Sequence, residues 1–220
     1  MNDDITVYVS SLNEENLIVP CVTALQEVFS NIQIIDLGST DRTLERIKPL
    51  NVKTHLLREV SGPDWTELKN KFNQKSEGWV FWVDGDEVYP KDSLDKIVSN
   101  LQNPIYEGYG IAWKCLYVLN GVLTITECIP NGVKFYNPKS FYYKRAWPRE
   151  VLVGEDKEPK GNTDIWCWHG KLLKRSSIEP TSRRKKRLGY ANNLVERGYT
   201  FSPIEKFPWD NPQSALYEEI

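Results

Sequence analysis

An α/β fold with a mostly parallel sheet and helices on both faces is what this sequence predicts, on three observations. Short apolar runs alternate with stretches of helical period from residue 5 to residue 83. Three of those runs end in polar, Asn- or Asp-bearing motifs. In the second half the pattern changes to strand-like runs broken by Asn-Gly pairs, the sign of an antiparallel or mixed region.

The elements follow in order. Ile5, Val7 and Val9 alternate with polar residues and predict a strand ending at Ser10-Ser11-Leu12-Asn13-Glu14-Glu15. Residues 17–29 predict a helix with Ile18, Cys21, Val22, Leu25 and Phe29 on one face. Ile32 to Ile35 is a short apolar run, as in a buried parallel strand, and ends in Asp36-Leu37-Gly38-Ser39-Thr40-Asp41. Ser39, Thr40 or Asp41 can cap the next helix, whose inner face is Leu44 and Ile47 and which Pro49 stops. A third strand spans 52–57, with His55 as a structural residue in its middle, and residues 61–77 read as a loop and a polar helix. Val80 to Val83 is the most apolar strand and runs directly into Asp84-Gly85-Asp86-Glu87. Right-handed βαβ crossovers place ligands beyond the carboxyl ends of such strands. The three polar motifs all fall there.

In the second half, residues 109–119, 121–129 and 133–143 read as strands, with Asn120-Gly121 and Asn131-Gly132 as hairpin-type turns. An irregular charged stretch follows from Arg145 to Asn162. A last short strand, 165–168, ends at His169-Gly170. Residues 181–197 predict a basic amphipathic helix with Leu188, Ala191, Leu194 and Val195 on its apolar side. The tail from Phe201 holds Pro203, Pro208 and Pro212 and shows no period.

Composition sets the class. The chain has 220 residues, 40% hydrophobic and 26% charged, enough for one α/β domain with a sizeable core. A net charge of -2 carries no global signal for a polyanionic partner. Cys21, Cys115, Cys128 and Cys167 form no CxxC pair and predict free thiols in a reducing compartment. The acidic start, Met1-Asn2-Asp3-Asp4, is unlike a signal peptide, and no apolar run approaches the ~20 residues that span a bilayer. The expectation is a cytoplasmic protein: free, peripheral at the inner face of a membrane, or in a host cytoplasm if a phage encodes it. Eight Trp against one Met suits a packed core first and sugar stacking second.

Asp84-Gly85-Asp86-Glu87 is the first candidate for chemistry. Residues two apart in an extended chain point the same way, so Asp84 and Asp86 can face one cation while Gly85 lets backbone approach. Hard oxygen ligands in small number suit Mg²⁺ or Mn²⁺ carrying phosphate oxygens. The further ligand spacing of an EF-hand loop is absent. The bland alternative is a solvated Asp-Gly turn; the position after the most apolar strand argues for a site.

These motifs carry a resemblance. Ser11-Leu12-Asn13-Glu14-Glu15, then Ile34-Ile35-Asp36-Leu37-Gly38-Ser39-Thr40-Asp41-Arg42-Thr43, then Trp79-Val80-Phe81-Trp82-Val83-Asp84-Gly85-Asp86-Glu87 resemble, in order and spacing, the nucleotide-binding half of family 2 glycosyltransferases. The pattern is similar to the small bacterial type related to lipopolysaccharide core β-glucosyltransferases. The resemblance implies a Rossmann-like GT-A fold. Residues 1–104 would be its nucleotide-sugar-binding half, 105–200 its smaller mixed acceptor-side half with the basic helix, and 201–220 a tail. It implies an inverting transfer from a nucleotide sugar, a UDP-sugar first, to a hydroxyl acceptor, with Mn²⁺ or Mg²⁺.

Roles follow from the same resemblance. Ser11, Asn13, Glu14 and Asp36 would hold the nucleoside, Asp36 accepting from the base. Asp84, Gly85 and Asp86 would hold the ribose and the metal-bound diphosphate. Lys69 or Lys71 takes the place of a basic-Asn pair that touches phosphates, with a solvated helix face as the alternative. His169 would join Asp84 and Asp86 at the metal. Inversion needs a base for the acceptor hydroxyl. Glu150 is the first candidate, although Trp147-Pro148-Arg149-Glu150 stands where relatives carry a His-Glu pair. Glu155 and Asp156 are its rivals. Asp41 is expected to cap its helix.

The acceptor is open: a glycan or lipid-linked glycan comes first. Arg183-Arg184-Lys185-Lys186-Arg187 is a solvated helix side, or else contacts a diphosphate, an anionic membrane or DNA, as in phage enzymes that modify hydroxylated bases. A non-catalytic sugar-nucleotide or glycan-binding module is the alternative from another class.

Overall fold

The computed structural model describes residues 4–57, 62–102, 104–119, 122–146, 149–154, 160–170, 173, 178 and 181–209. The first half alternates β1 (Ile5–Ser11), α1 (Ile18–Gln26), β2 (Ile32–Asp36), α2 (Thr43–Ile47), β3 (Lys53–Leu56), α3 (Gly62–Gln74) and β4 (Trp79–Asp84). Then come β5 (Glu87–Val88), α4 (Lys91–Gln102), β6 (Gly108–Leu119), β7 (Val122–Thr126) and β8 (Ile129–Tyr136). β9 (Phe141–Ala146), β10 (Arg149–Gly154), β11 (Lys160–His169), α5 (Thr181–Glu196) and β12 (Phe201–Pro203) complete the order.

β3, β2, β1 and β4 lie side by side and all run parallel, as alternating strands and helices require. The sheet continues through β8, β6, β7 and β12 with antiparallel pairs, and β11 runs parallel to β6. The mixed second region is therefore continuous with the parallel one. β9 and β10 form a separate antiparallel pair.

The period of two along each central strand explains the two layers. Ile5, Val7 and Val9 of β1 and Phe81 and Val83 of β4 face one side. There they pack against Ile18, Cys21, Val22 and Leu25 of α1 and Leu94 and Ile97 of α4. Tyr8, Val80 and Trp82 face the other side, against Phe72 of α3 and Phe141 and Tyr143 of β9. Helices thus cover both faces. Pro20 sits in the first turn of α1, where its missing N–H leaves no intrahelical bond unmade.

Two expectations change. Asn131-Gly132 is not a turn: both residues lie within β8, whose register against β6 slips between Tyr109 and Gly110 and again between Gly110 and Ala112. The conformational freedom of Asn-Gly serves an irregular strand here and not a hairpin. The stretch expected to be irregular from Arg145 to Asn162 contributes to β9, β10 and the start of β11. Asn120-Gly121 lies outside the described residues. The helix expected over 181–197 is present as α5: Ala191 and Leu194 are buried, while Leu188 and Val195 remain exposed. Among the described residues, no helix is long and apolar enough to cross a membrane. The four cysteines are free, and Cys21, Cys115 and Cys167 are buried.

Candidate active site

From β1 the chain crosses one way to β2 and β3, while β4 lies on the other side of β1. This is a topological switch point, where open α/β sheets bind ligands at the carboxyl ends of the strands. The register places Ser10 beside Asp84 and Ser11 beside Asp36 at those ends. A cleft of about 310 Å³ opens here. Ser10, Ser11, Leu12, Glu14 and Leu37 line one wall. Asp84, Gly85, Asp86, Trp113 and His169 line the other.

The loops around the cleft are sewn together. Asn13 has a positive φ of 56° and accepts hydrogen bonds at its side-chain oxygen from the N–H of Thr40 (2.8 Å) and Asp41 (3.4 Å). Its own N–H donates to Ser39 Oγ at 2.9 Å. Asp36 is turned to its own loop and accepts from the N–H of Gly38 and Ser39 and from Ser39 Oγ at 2.6 Å. Asp41 accepts from the N–H of Thr43 at 2.9 Å, two residues on, but the N-cap of α2 is Arg42, which makes no side-chain cap bond, so the cap expected of Asp41 is replaced by a turn just before the helix. Asn13 and Asp36 therefore hold the loops, whereas Ser11 and Glu14 reach the cleft. Ser11 Oγ is buried with no hydrogen-bond partner among the described residues, and such groups are uncommon unless a ligand or water meets them.

Gly85 sits at a close approach that leaves little room for a side chain. A Cβ there would lie 3.2 Å from Ser10 O and from Glu14 Cγ, while the Gly85 N–H donates to Ser10 O at 2.8 Å. At Gly170 a Cβ would lie 2.4 Å from Leu17 Cδ1, and the Gly170 N–H donates to Asp86 O at 2.7 Å. Both glycines let the opposing strand ends close on each other.

The acidic quartet divides into unequal parts. Asp84 accepts from Ser10 Oγ at one oxygen (2.9 Å) and from Lys134 Nζ at the other (2.7 Å). Glu87 is fully buried. Its Oε1 meets Trp113 Nε1 at 2.8 Å and Lys134 Nζ at 3.0 Å. Its Oε2 accepts from the Asp84 N–H and the Tyr89 hydroxyl, each at 3.1 Å. Burial pushes the Glu87 carboxyl up to about 7, Lys134 pulling against the rise and Asp84 and Asp86 adding to it. Burial also works to raise Asp84, but Lys134, with Lys69 behind it, holds that carboxyl well below the usual range. The two carboxylates in turn overcome the burial of Lys134 and hold its ammonium above the ordinary lysine value.

Asp86 faces elsewhere. β11 pairs with β5 so that His169 lies opposite Glu87, and His169 Nε2 comes within 3.6 Å of Asp86 Oδ2. The imidazole stacks on Trp113 at 4.0 Å, and its Nδ1 lies 3.7 Å from Cys115 Sγ. Among the described residues no group of three or more His, Cys, Asp or Glu side chains is placed to hold a metal ion, so the expected set of Asp84, Asp86 and His169 is not assembled as three ligands. Asp86 and His169 are two donors of kinds that metals accept; a cation held there would draw its other ligands from water and phosphate oxygens.

Of the remaining candidates, Lys69 acts on this cluster through its charge, which lowers Asp84. Lys69 is buried among the rings of Trp65, Trp82 and Tyr143, at 5.1, 5.2 and 4.5 Å from their centroids, and is no solvated helix face. Lys71 is exposed and paired with Glu67. His55 is structural, at 2.9 Å from Gln33 and edge-on to Phe72. Glu150 is in β10 opposite Arg145, with its side chain outside the described set. Glu155 and Asp156 lie outside the described residues. Sequence reasoning missed Trp113 and Lys134. The one signal for Lys134 is a lone charge in an apolar run, Val133-Lys134-Phe135-Tyr136; Trp113 has none.

A parallel block with carboxylates at its switch point defines an α/β fold of the nucleotide-binding type. Residues 6–179 match the model of glycosyl transferase family 2, and the chain belongs to that family. Among curated relatives it is similar to the SPbeta prophage-derived glycosyltransferase SunS of Bacillus subtilis (strain 168), with 28% identity over 96 residues. That match covers 43% of this chain and only 23% of the relative. The Bacillus phage SPbeta glycosyltransferase SunS matches to the same extent. Among solved structures, glucosyl-3-phosphoglycerate synthase from Mycobacterium tuberculosis in complex with Mn²⁺, UDP and glucosyl-3-phosphoglycerate aligns with a TM-score of 0.42 and 18% identity. The alignment covers 50% of this chain and 44% of that one. The same enzyme with phosphoglyceric acid aligns with a TM-score of 0.43 at the same identity and coverage.

Proposed function

We propose that this chain transfers a sugar, with inversion, from a nucleotide-sugar donor, a UDP-sugar first, to a hydroxyl acceptor. The observation that carries this reading is the convergence of Asp84, Asp86 and His169 with Ser11 and Glu14 on one cleft at the switch point. Family membership supports it. Residues 1–104 supply most of the donor wall, Trp113 and His169 of the 105–200 half add to it, and the rest of that half supplies the acceptor side; the start of the 201–220 segment is tied to the sheet as β12.

In this account Ser11 and Glu14 meet the nucleoside and Asp84 meets the ribose. Gly85 keeps the floor of the cleft low enough for the diphosphate. Asp86 and His169 would hold Mn²⁺ or Mg²⁺, which when bound would offset the charge building on the departing nucleoside diphosphate. Trp113 shields that side from water by covering His169. The acceptor hydroxyl gives its proton to a carboxylate, Glu150 first and Glu155 or Asp156 next.

Thermal denaturation across a panel of nucleotides and nucleotide sugars, with Mn²⁺ and with EDTA, tests this reading. Selective, metal-dependent stabilisation by one nucleotide sugar is expected, because a ligand bound only to the folded chain raises its melting temperature. No shift with any member of the panel would sink it.

A further inference from the structure

We propose that Lys134 is a positioning residue of the donor site: an internal cation that holds Asp84 and Glu87 in place and confines a divalent ion to the Asp86–His169 side. The inference rests on the donor-site reading above and adds a division of labour within the acidic quartet.

Geometry carries it. The Lys134 ammonium bridges Asp84 Oδ2 at 2.7 Å and Glu87 Oε1 at 3.0 Å with only 14% of its side chain exposed. Glu87 meets two donors at each oxygen: Trp113 and Lys134 at Oε1, the Asp84 N–H and the Tyr89 hydroxyl at Oε2. A carboxylate oxygen has about two lone-pair directions, so Glu87 has none left for a metal. Asp84 has one oxygen on Ser10 and one on Lys134, and its side chain is 46% exposed toward the cleft. It is a fixed carboxylate with room for a donor hydroxyl. Asp86 Oδ2 lies 3.6 Å from His169 Nε2.

The backbone explains how a lysine comes to stand there. β8 pairs with β6 as Phe135↔Tyr109 and then Val133↔Gly110, so Lys134 has no residue directly opposite. Irregularities of this kind re-aim side chains beside active sites. Phe135 remains in the core while Lys134 reaches the quartet.

The test uses Mn²⁺ and UDP on the whole chain, wild type against K134R and K134M, with bound Mn²⁺ counted by electron paramagnetic resonance and UDP binding measured by calorimetry. K134R is expected to keep the wild-type Mn²⁺ count and UDP affinity within about threefold. K134M is expected to gain one Mn²⁺ per chain, in the place of the ammonium, and to bind UDP at least about tenfold more weakly. An unchanged Mn²⁺ count together with unchanged UDP affinity in K134M would overturn the proposal. If K134M does not fold, the double variant K134M/E87Q removes one charge of each sign. In it UDP affinity should still fall, and wild-type affinity there overturns the proposal. Absence of Mn²⁺ and UDP binding in the wild type is a different failure: it overturns the donor-site reading itself.

Discussion

Lys134 and Glu87 pair at 3.0 Å beside Asp84, which lines the cleft, and the Glu87 carboxylate has no exposed surface. Burying two charges is costly, and such a pair is weak evidence for stability by itself. Removing Glu87 is another matter: Lys134 keeps Asp84, but the Trp113 Nε1–H, the Tyr89 hydroxyl and the Asp84 N–H lose their acceptor. E87A is therefore expected to destabilise the chain by about 3–5 kcal/mol, measured by urea unfolding. E87Q, which keeps the shape, is expected to lose less. Equal stability of E87A and wild type would contradict the pairing.

Glu87 also sets a pH dependence. Its carboxyl is pushed from 4.5 up to about 7 in the folded chain, burial being the largest cause. A group with a raised folded value binds more protons folded than unfolded between those two points. Its contribution to stability is thus full below about 4.5 and is lost as pH rises through about 7. The melting temperature of the metal-free chain should show this decline, and E87Q should lack it. A slope that persists unchanged in E87Q would assign it to another group.

Asn70 clamps α3 to β9. Its Nδ2 donates to Tyr143 O at 2.8 Å, and the Tyr143 N–H donates to its Oδ1 at 2.7 Å. Among the described residues β9 and β10 pair with each other and with no further strand, so this clamp and the packing of Phe141 and Tyr143 on α3 help to hold them to the body. N70A is expected to lower stability by about 1–3 kcal/mol and to speed amide exchange in residues 141–154 more than in β1 and β4. Uniform exchange across all four strands would contradict it.

Gly170 is a steric requirement. A methyl group there meets Leu17 Cδ1 at 2.4 Å, and Leu17 is itself fully buried. G170A is expected to lower stability by about 1–3 kcal/mol, read from thermal unfolding. The same overpacking shifts His169 and weakens Mn²⁺ binding. Wild-type Mn²⁺ affinity and stability in G170A would show that the β5–β11 contact has slack.

The parts legible in the sequence are those written in local period. Buried parallel strands read as apolar runs, so β1, β2 and β4 and the motifs at their ends are plain in Val7–Val9, Ile32–Ile35 and Val80–Val83. Helix faces read equally well in α1. What is not legible depends on pairing between distant strands. Asn131-Gly132 reports backbone freedom, and only the register with β6 decides that the freedom serves an irregular strand. Trp113 and Lys134 join the site because β6 and β8 bring them there. Likewise Lys69 looks like a solvated lysine until Trp82 and Tyr143 close around it.

The central claim is that this cleft holds a nucleoside diphosphate through a cation on Asp86 and His169. Calorimetric titration of UDP into wild type and D86N, with Mn²⁺ and with EDTA, tests it most directly. The account predicts Mn²⁺-dependent binding to wild type and, in D86N, a loss of at least about tenfold with the fold intact by circular dichroism. UDP binding that is equally tight in both proteins, or indifferent to Mn²⁺, would contradict it.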